Sequence, residues 1–505
     1  MSTYAKMGKR RDNWKKQVAK IKAILSYQLK EKHRIKKQRD QFKRELRRAI
    51  QQIEVLEAQN TTLQLNDKVD LIYLVLQFFT IARIGFRAIS RVLMVLCPQM
   101  GLVKTPCTQT IINWVTRFSI SRMKNYLPPL DQQLGCSLFS GGVILILDAS
   151  IGLGRGKILT VLALDIKHHL LNKGAPALEN VQCVAVSVAN SWTGETIADL
   201  LQKTIAIVGT PVAYLKDGGT DLGKSVRLLD ERGYSSLCID DISHFIANLL
   251  KHEYKNHPQF DRFIQACGQV SKRFKQSILA CLAPPKVSMK ARFMNIHQLV
   301  RWASLLLKHS PKGRAKKNSL LEKLRAGFEQ LPECKQFIKQ FLLDVEPLIE
   351  CQKILKTKGL SLDTFNECQL IIKNIPSDSI RMGFASWLEE HRIKAISLGL
   401  EEVGMPVCSD IIESLFGVAK QHGTGKIKDA NRIAQRIPVM CGKLTKQDAQ
   451  NVLNISVKEQ QELVGSMPSL IKQRREVLAH VGCLDKIESN EAKQNLELIT
   501  SSKAG

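Results

Sequence analysis

The N-terminal part of the chain has apolar residues at alternating steps of four and three. This seam runs from Trp14 to Leu25 and resumes from Phe42 to Leu63, which is the spacing of a coiled coil. Asn60 falls on the seam, where one buried polar side chain can fix the register between two chains. We therefore expect residues 1–66 to form a basic helix and a short coiled coil that joins at least two copies of the chain. A single long helix packed on its own chain is the alternative.

Residues 67–132 have the periodicity of three short helices. The third, from Thr108 to Phe118, has an apolar side and a polar side, and the polar side carries Gln109, Asn113 and Arg117. Helix-turn-helix domains have this trihelical shape, and their last helix presents such side chains to base edges in the major groove. These side chains are candidate DNA contacts in a helix-turn-helix-like domain. A plain three-helix packing module is the alternative.

Five apolar runs with the character of strands follow. They are residues 141–150, 157–165, 181–189, 211–217 and 235–241. Short loops join the first three runs, which are therefore expected to be antiparallel, and a helical segment precedes each of the last two. This is the order of the ribonuclease H fold, in which the first and fourth strands pair in the middle of the sheet. We predict an α/β core with a mixed five-stranded sheet over residues 141–250.

Beyond the last strand the chain has only helical periodicity as far as Pro406. We assign residues 251–405 to an all-helical insertion, 406–442 to the final helical part of the core and 443–505 to a polar helical tail. Ser409 is expected to cap the helix that begins there. The predicted fold class is an α/β ribonuclease H-like core interrupted by an all-α insertion, preceded by the coiled coil and the helix-turn-helix-like domain.

The positive charge of the chain is concentrated in two tracts. The formal net charge is +29 over 505 residues, and residues 1–50 carry +14 of it while residues 251–320 carry +13. Two basic surfaces indicate a polyanionic partner, because each phosphate contact releases counterions and strengthens binding. Double-stranded DNA is the expected partner, and solvated surface charge is the alternative.

Other features of the composition bear on the cellular compartment of the protein. No apolar run is long enough to span a bilayer, and the first residues lack the apolar segment of a signal peptide. The thirteen cysteines are scattered and form no C-x-x-C pair, which is typical of a reducing compartment and gives little support to a zinc site. We expect a cytoplasmic, nucleoid-associated protein without a membrane partner.

Three acidic residues are expected to meet at one edge of the sheet. Asp148 ends the first strand and Asp217 ends the fourth, and these two strands should be neighbours. Glu413 lies on the helix that would pack against this edge once the insertion is looped out. Such a set can hold two divalent ions that activate the attacking oxygen and stabilise the leaving oxygen of a phosphodiester. Carboxylate ligands favour Mg²⁺ or Mn²⁺.

A short motif adds a family resemblance to this arrangement. The sequence D-I-S-H, Asp241 to His244, begins 24 residues after Asp217. With the order of the three carboxylates and the helical insertion before the glutamate, it resembles the DDE transposases of the hAT and Mutator-like type, which carry a C/D-x-x-H signature there. The resemblance covers residues 141–255 and 406–425 by motif. It implies metal-dependent cleavage at transposon ends and strand transfer into target DNA, with Asp241 and His244 beside the active site.

The resemblance also implies DNA contacts outside the carboxylates. In this group a tryptophan of the insertion stacks on a base flipped out of the DNA end. Trp302, beside the second basic tract, is the first candidate and Trp387 the second; packing in the core is the alternative for both. Lys420 lies seven residues after Glu413, on the same helix face, and is expected to approach the DNA backbone. It could equally be a solvated lysine.

One motif favours a different function. The segment GGTDLGKS, Gly218 to Ser225, satisfies the Walker A pattern, and the nearby LCIDD resembles Walker B. A P-loop ATPase acting in DNA transactions is the second hypothesis, although Asp240 follows Lys224 too closely for the usual nucleotide fold. The third hypothesis is a non-catalytic DNA-binding regulator in which the nuclease core is only a scaffold.

Overall fold

The computed structural model describes most of the chain between Asp67 and Ala479, together with scattered helical residues between Lys15 and Lys43. The chain divides into two units at Asp67, and each is described by itself. The predicted coiled coil, residues 1–66, lies almost wholly outside the described residues. The longer described stretches are 67–99, 104–125, 142–151, 156–171, 174–275, 277–286, 292–309, 314–317, 319–328, 330–421 and 429–479.

Three helices open the second unit. They are α1 (Lys68–Thr80), α2 (Phe86–Gln99) and α3 (Thr108–Lys124), which confirms the three predicted helices. Apolar side chains that recur every three or four residues form their common core, and the Phe79 and Phe86 rings stack at 4.8 Å.

A mixed five-stranded sheet follows, as predicted. Its elements, with the helices between them, are β1 (Val143–Ile151), β2 (Lys157–Asp165), α4 (Ile166–Leu171), β3 (Val181–Ala189), α5 (Gly194–Val208), β4 (Ala213–Lys216), α6 (Thr220–Glu231) and β5 (Leu237–Asp240). The order across the sheet is β3-β2-β1-β4-β5. The first three strands are antiparallel, and β4 and β5 run parallel to β1. The expected pairing of the first and fourth strands is confirmed.

Both faces of the sheet are buried, because successive side chains of a strand point to opposite faces. In β1, Leu145 and Leu147 pack with apolar residues of α5 and α6. Ile144 and Ile146 pack on the opposite face with residues from the helical insertion. Because both faces are covered, side chains that can reach a ligand are expected near the ends of the strands.

The region after β5 is helical, as predicted. Its helices are α7 (Ile242–Tyr254), α8 (Phe260–Phe274), α9 (Arg292–Lys308), α10 (Leu320–Gly327), α11 (Lys335–Lys358), α12 (Leu362–Ile372) and α13 (Asp378–Ser397). Within the described part of this region the strand-like pairing is a single bridge between Leu360 and Met405. Because α7 follows β5 directly and packs on the sheet, it joins the core to the insertion.

Two glycines let the chain cross itself where it leaves the insertion. Gly359 (φ 73°) and Gly404 (φ 102°) both have backbone angles that side chains disfavour, and a Cβ on Gly404 would lie 2.2 Å from the Lys358 carbonyl oxygen. The His169 Nε2 atom lies 2.8 Å from the Gly404 carbonyl oxygen. The chain then continues into α14 (Asp410–Gln421) and α15 (Ala430–Ala434).

The C-terminal tail begins with three described helices, α16 (Lys446–Asn454), α17 (Val457–Ser466) and α18 (Leu470–Ala479). Helix α16 packs against α1 and α3, and α17 packs against α3. The tail predicted from its polar composition therefore covers the third helix of the trihelical unit. Within the described residues, no helix combines the length and apolar character that crossing a membrane requires.

Candidate active site

Asp148 and Asp217 lie side by side on the two inner strands β1 and β4, toward the end of the sheet at which β4 stops. In the parallel pairing of β1 and β4, Leu147 is opposite Lys216, so Asp148 and Asp217 come next at neighbouring positions. Asp217 follows the last residue of β4. The prediction that Asp148 ends the first strand is wrong, because β1 continues to Ile151 through its antiparallel pairing with β2. Paired strands are about 4.8 Å apart. The backbone N–H of Ala149 donates to Asp148 Oδ1 at 2.6 Å and that of Gly219 donates to Asp217 Oδ1 at 2.9 Å. These bonds leave the other carboxylate oxygens available at the edge.

Glu413 lies close enough to Asp148 to repel its ionised carboxylate. Helix α14 packs against β1, which brings the glutamate of its first turn to the edge where Asp148 lies. Burial raises the pKa of Asp148 to about 7, and repulsion by Asp217 and then by Glu413 adds to the effect. Partial burial and the Asp410 carboxylate raise the pKa of Glu413. Asp148 is thus repelled by both other carboxylates, and a bound cation would relieve this repulsion.

We expect the metal-free Asp148→Asn protein to be more stable than the wild type at neutral pH. The pKa of Asp148 is about 7 in the folded chain against an ordinary value of 3.8, so its ionised form destabilises the folded state. This cost is absent below pH 3.8 and grows as the pH rises to about 7. A difference of about three pH units corresponds to about 4 kcal/mol, and partial exposure reduces the expected gain to about 2 kcal/mol.

The measurement for this prediction is urea unfolding of both proteins in EDTA across that pH range. The gain should shrink as the pH is lowered toward 4, because the wild-type carboxylate is then protonated. Equal stability of the two proteins at neutral pH would show that burial and repulsion do not disfavour the ionised form of Asp148.

Asp241, the first residue of the D-I-S-H motif, joins the two ends of the insertion. Its side chain is 1% exposed. Oδ1 accepts the backbone N–H groups of Ser243 at 2.7 Å and His244 at 3.0 Å. Oδ2 accepts the backbone N–H of Ser409 at 2.6 Å and its hydroxyl at 3.0 Å. One carboxylate therefore holds the N-termini of both α7 and α14, the helix that carries Glu413.

Ser409 does lie immediately before the first residue of α14, as expected, but its hydroxyl donates to Asp241. The sequence alone gives no sign of this bond, because the two residues are 168 positions apart.

Among the described residues, one group of three potential metal ligands has its ligand atoms within 4.8 Å of one another: Asp241, Cys408 and Asp410. The hydrogen bonds argue against a metal there. Both oxygens of Asp241 are already occupied by donors, and Asp410 Oδ2 accepts from Lys356 Nζ at 2.6 Å. The Cys408 sulfur accepts the Asp410 N–H at 3.4 Å. We interpret this group as the structural support of α14.

Two basic residues lie close enough to Glu413 to act on its pKa. Both Lys356, from α11, and His244 lower the pKa of Glu413 against the larger raising effect of burial. His244 therefore lies near the edge occupied by the carboxylates, while Lys356 is a neighbour that the sequence analysis did not identify. Lys420 lies two turns after Glu413 in α14; its side chain is outside the described residues.

Both candidate tryptophans pack against the protein. Trp387 is 4% exposed and its ring stacks on His391 at 4.1 Å and on Phe245 at 5.3 Å. Trp302 is partly buried, and its Nε1–H donates to the Leu282 carbonyl oxygen at 3.1 Å. Trp302 has the more accessible ring, and base stacking by either residue stays a prediction.

The polar face of α3 is in contact with the tail. Arg117 Nε donates to the Gln460 side-chain oxygen at 2.8 Å, and the Gln460 amide nitrogen donates to Asn113 Oδ1 at 3.0 Å. Gln109 donates to the same Asn113 oxygen at 3.0 Å. Helix α17 therefore occupies part of the surface expected to read bases, and direct base contacts by these residues stay a prediction that requires α17 to move.

The Walker-like segment is folded as a helix. Helix α6 begins at Thr220, so Lys224 lies in its second turn instead of following a phosphate-binding loop. Lys224 Nζ donates to Glu195 on α5, and the Ser225 hydroxyl donates to the Leu222 carbonyl oxygen at 2.8 Å. This geometry disfavours a P-loop.

We expect Lys224→Ala to leave both nucleotide-independent DNA joining and the unfolding midpoint unchanged, because the lysine forms an exposed ion pair with Glu195. DNA joining assays and thermal unfolding check this outcome, with Glu195→Ala as the control for loss of the pair. Loss of ATP binding in Lys224→Ala would instead revive the P-loop hypothesis.

Comparisons with known proteins do not assign the chain to a family. No family model matches the chain, and the search of curated proteins found no match. Among solved structures, the Drosophila P element transposase strand transfer complex is similar at 13% sequence identity and a TM-score of 0.39, over 80% of this chain and 100% of that chain. A likeness this distant carries no argument about fold or function.

Proposed function

We propose that this protein is a DDE-type DNA transposase with a ribonuclease H-like core. The observation that carries the proposal is the placement of Asp148 in β1 beside Asp217, which directly follows the paired parallel strand β4, with Glu413 close enough to raise the pKa of Asp148. Structural acidic residues are rarely left in mutual repulsion, whereas catalytic carboxylates commonly are.

The donor set fits hard divalent cations. Asp148, Asp217 and Glu413 offer carboxylate oxygens, the ligand type preferred by Mg²⁺ and Mn²⁺. When bound, two such ions would supply activation of the attacking oxygen and stabilisation of the leaving oxygen at a phosphodiester. The ligand atoms of the three residues are not all within 4.8 Å of one another in the metal-free chain.

The remaining residues of the site position this set. Both other carboxylates act on Asp148. The backbone N–H of Gly219 donates to Asp217 and orients it, and Asp241 accepts from the residue that precedes the helix of Glu413. His244 and the basic tract of the insertion are suited to approach the DNA backbone. Pairing of two transposon ends calls for a multimer, which residues 1–66 would supply.

The test is joining of DNA by the purified full-length chain. Fragments carrying the sequences that flank its own gene are incubated with plasmid DNA and Mg²⁺ or Mn²⁺. We expect cleavage at the element ends and insertion of the 3′-hydroxyl into the plasmid, both stopped by EDTA. Tight DNA binding without cleavage under any of these conditions would contradict the proposal and favour the non-catalytic regulator.

A further inference from the structure

Helix α3 carries a row of polar side chains on one face. Gln109, Asn113 and Arg117 are spaced by four residues, and Lys124 follows seven residues after Arg117, so all four lie on the same side of the helix. The row combines two amides with two cations. This combination suits duplex DNA, because amides and Arg can read base edges while cations contact phosphates.

Two neighbouring side chains of the tail engage most of this row. Gln460 of α17 accepts from Arg117 Nε at 2.8 Å and donates to Asn113 Oδ1 at 3.0 Å. Glu459, the residue before it, forms an ion pair with Lys124. The amide oxygen and the carboxylate thus offer the two cations the kind of acceptors that a base edge and a phosphate offer. The tail and DNA are therefore alternative partners for the same side chains.

Helix α17 is the weakly packed part of the tail. None of its residues is buried; Leu463 is half-buried against the core, whereas Val457 and Val464 are exposed. Its last turn contains Gly465, a residue that weakens helices. A pocket of about 420 Å³ lies between α17 and its neighbours α3 and α15. Movement of α17 away from α3 would therefore break few apolar contacts.

The chain on both sides of α17 is fixed to the rest of the protein. On one side, α16 packs on α1 and α3, and Ile455, which follows α16, is buried. On the other side, Met467 is buried and its carbonyl oxygen accepts from the Gln435 amide at 3.1 Å. Residues 456–466 can therefore move as a tethered segment without releasing either anchor.

We propose that α17 is an autoinhibitory cover on the DNA-binding face of α3, and that duplex DNA displaces it by replacing Glu459 and Gln460 as the partner of Lys124, Arg117 and Asn113. The inference rests on the proposed function, in which DNA is the substrate. With α17 in place, DNA binding relies on the basic tracts, which contact phosphates of any sequence. With α17 displaced, the polar face of α3 adds its own contacts, so DNA that fits this face favours the open state.

The test removes the two side chains of α17 that contact α3. The variant Glu459→Ala/Gln460→Ala is compared with Gln461→Ala/Glu462→Ala, which loses the same two residue types and the same charge. Gln461 and Glu462 are exposed, and their side chains form no hydrogen bond or ion pair with a described residue. Affinity is measured by fluorescence anisotropy in EDTA, for a duplex with the sequence that flanks the gene and for an unrelated duplex.

We expect Glu459→Ala/Gln460→Ala to bind duplex DNA about 5- to 10-fold more tightly than the wild type, because DNA no longer competes with a hydrogen bond and an ion pair. The 461/462 control should bind as the wild type does. Adding Arg117→Gln to the first variant should abolish the gain, since the released guanidinium is then absent. A gain confined to the flanking duplex identifies bases as the partners of α3, and an equal gain on both duplexes identifies phosphates.

Three results would overturn the proposal: no gain on either duplex, an equal gain in the 461/462 control, or a gain that survives Arg117→Gln. This failure differs from failure of the proposed function, which is absence of cleavage and joining with Mg²⁺ or Mn²⁺. Binding in EDTA requires neither reaction, so each proposal is tested without the other.

Hydrogen exchange of the full-length wild-type chain gives a second measurement that needs no variant. A helix as short as α17 is marginal once it no longer packs on α3. Adding the duplex should therefore speed exchange of the backbone amides of 457–466 by about 10-fold or more, while α16 keeps its protection. Unchanged or slower exchange in α17 with DNA bound would mean that α3 stays covered, which contradicts the proposal.

Discussion

Replacing Asp217 by asparagine is expected to lower DNA joining on the order of 10³-fold or more. The substitution keeps the shape of the side chain and its bond from Gly219 N–H but removes the negative charge. An amide is a poor ligand for the cations that the site is proposed to hold. The measurement is the rate of strand joining from a pre-cleaved 3′ end, so that DNA cleavage does not limit the result.

Asp221→Asn is the matched control for this prediction. Asp221 lies four residues further along, in the first turn of α6, and is exposed. The same loss of charge there should leave the joining rate within a few-fold of the wild type. Comparable losses in both variants would mean that the effect is one of general electrostatics, and undiminished joining in Asp217→Asn would exclude the proposed site.

The position of Asp148 and Asp217 in the sheet can be predicted from local patterns in the sequence. Apolar runs that end in Asp148 and Asp217 identify the strands, and the order of strands and helices determines that β1 and β4 are neighbours. Since β1 and β4 are parallel neighbours, the adjacency of the two aspartates follows without any knowledge of long-range contacts. The end of β1 does not follow in this way, because Asp148 to Ile151 extend the strand by pairing with β2.

Contacts across long separations could not be obtained in this way. The bonds from Ser409 to Asp241 and from Gln460 to Asn113 join residues 168 and 347 positions apart. Polar side chains such as these look alike in a single sequence whether they face water or another helix. The docking of the tail on α3 was missed for the same reason, because α17 has no fully buried side chain to mark a packed face.

Contacts of this kind at the two ends of the insertion determine where α14, and with it Glu413, lies. The backbone N–H of Ile242 donates to the Val407 carbonyl oxygen at 2.9 Å, beside the bonds of Asp241. The chain therefore leaves the core and returns to it at one place, and the length of the intervening region hardly affects the position of α14. What determines that position is a small set of buried hydrogen bonds.

Asp241→Asn is therefore expected to affect both stability and catalysis, although Asp241 touches no substrate. The asparagine keeps one accepting oxygen and turns its amide nitrogen toward the donors of either Ser409 or α7, so one or two of the four hydrogen bonds are lost. Bonds to a buried carboxylate contribute roughly 1.5–3 kcal/mol each, and we expect a loss of about 3–5 kcal/mol in the free energy of unfolding. Because α14 is no longer held, the metal concentration for half-maximal joining should rise about 10- to 100-fold.

Asp344→Asn separates positioning from stability. Asp344 is another buried aspartate, 1% exposed, which accepts from the Tyr254 hydroxyl, from Gln340 at 3.1 Å and from the Ser377 N–H at 2.9 Å. It supports helices within the insertion, so its substitution should destabilise the protein to a similar degree without changing the metal requirement. If both variants shift the metal requirement equally, Asp241 acts only through global stability; if only Asp241→Asn does, the residue positions Glu413.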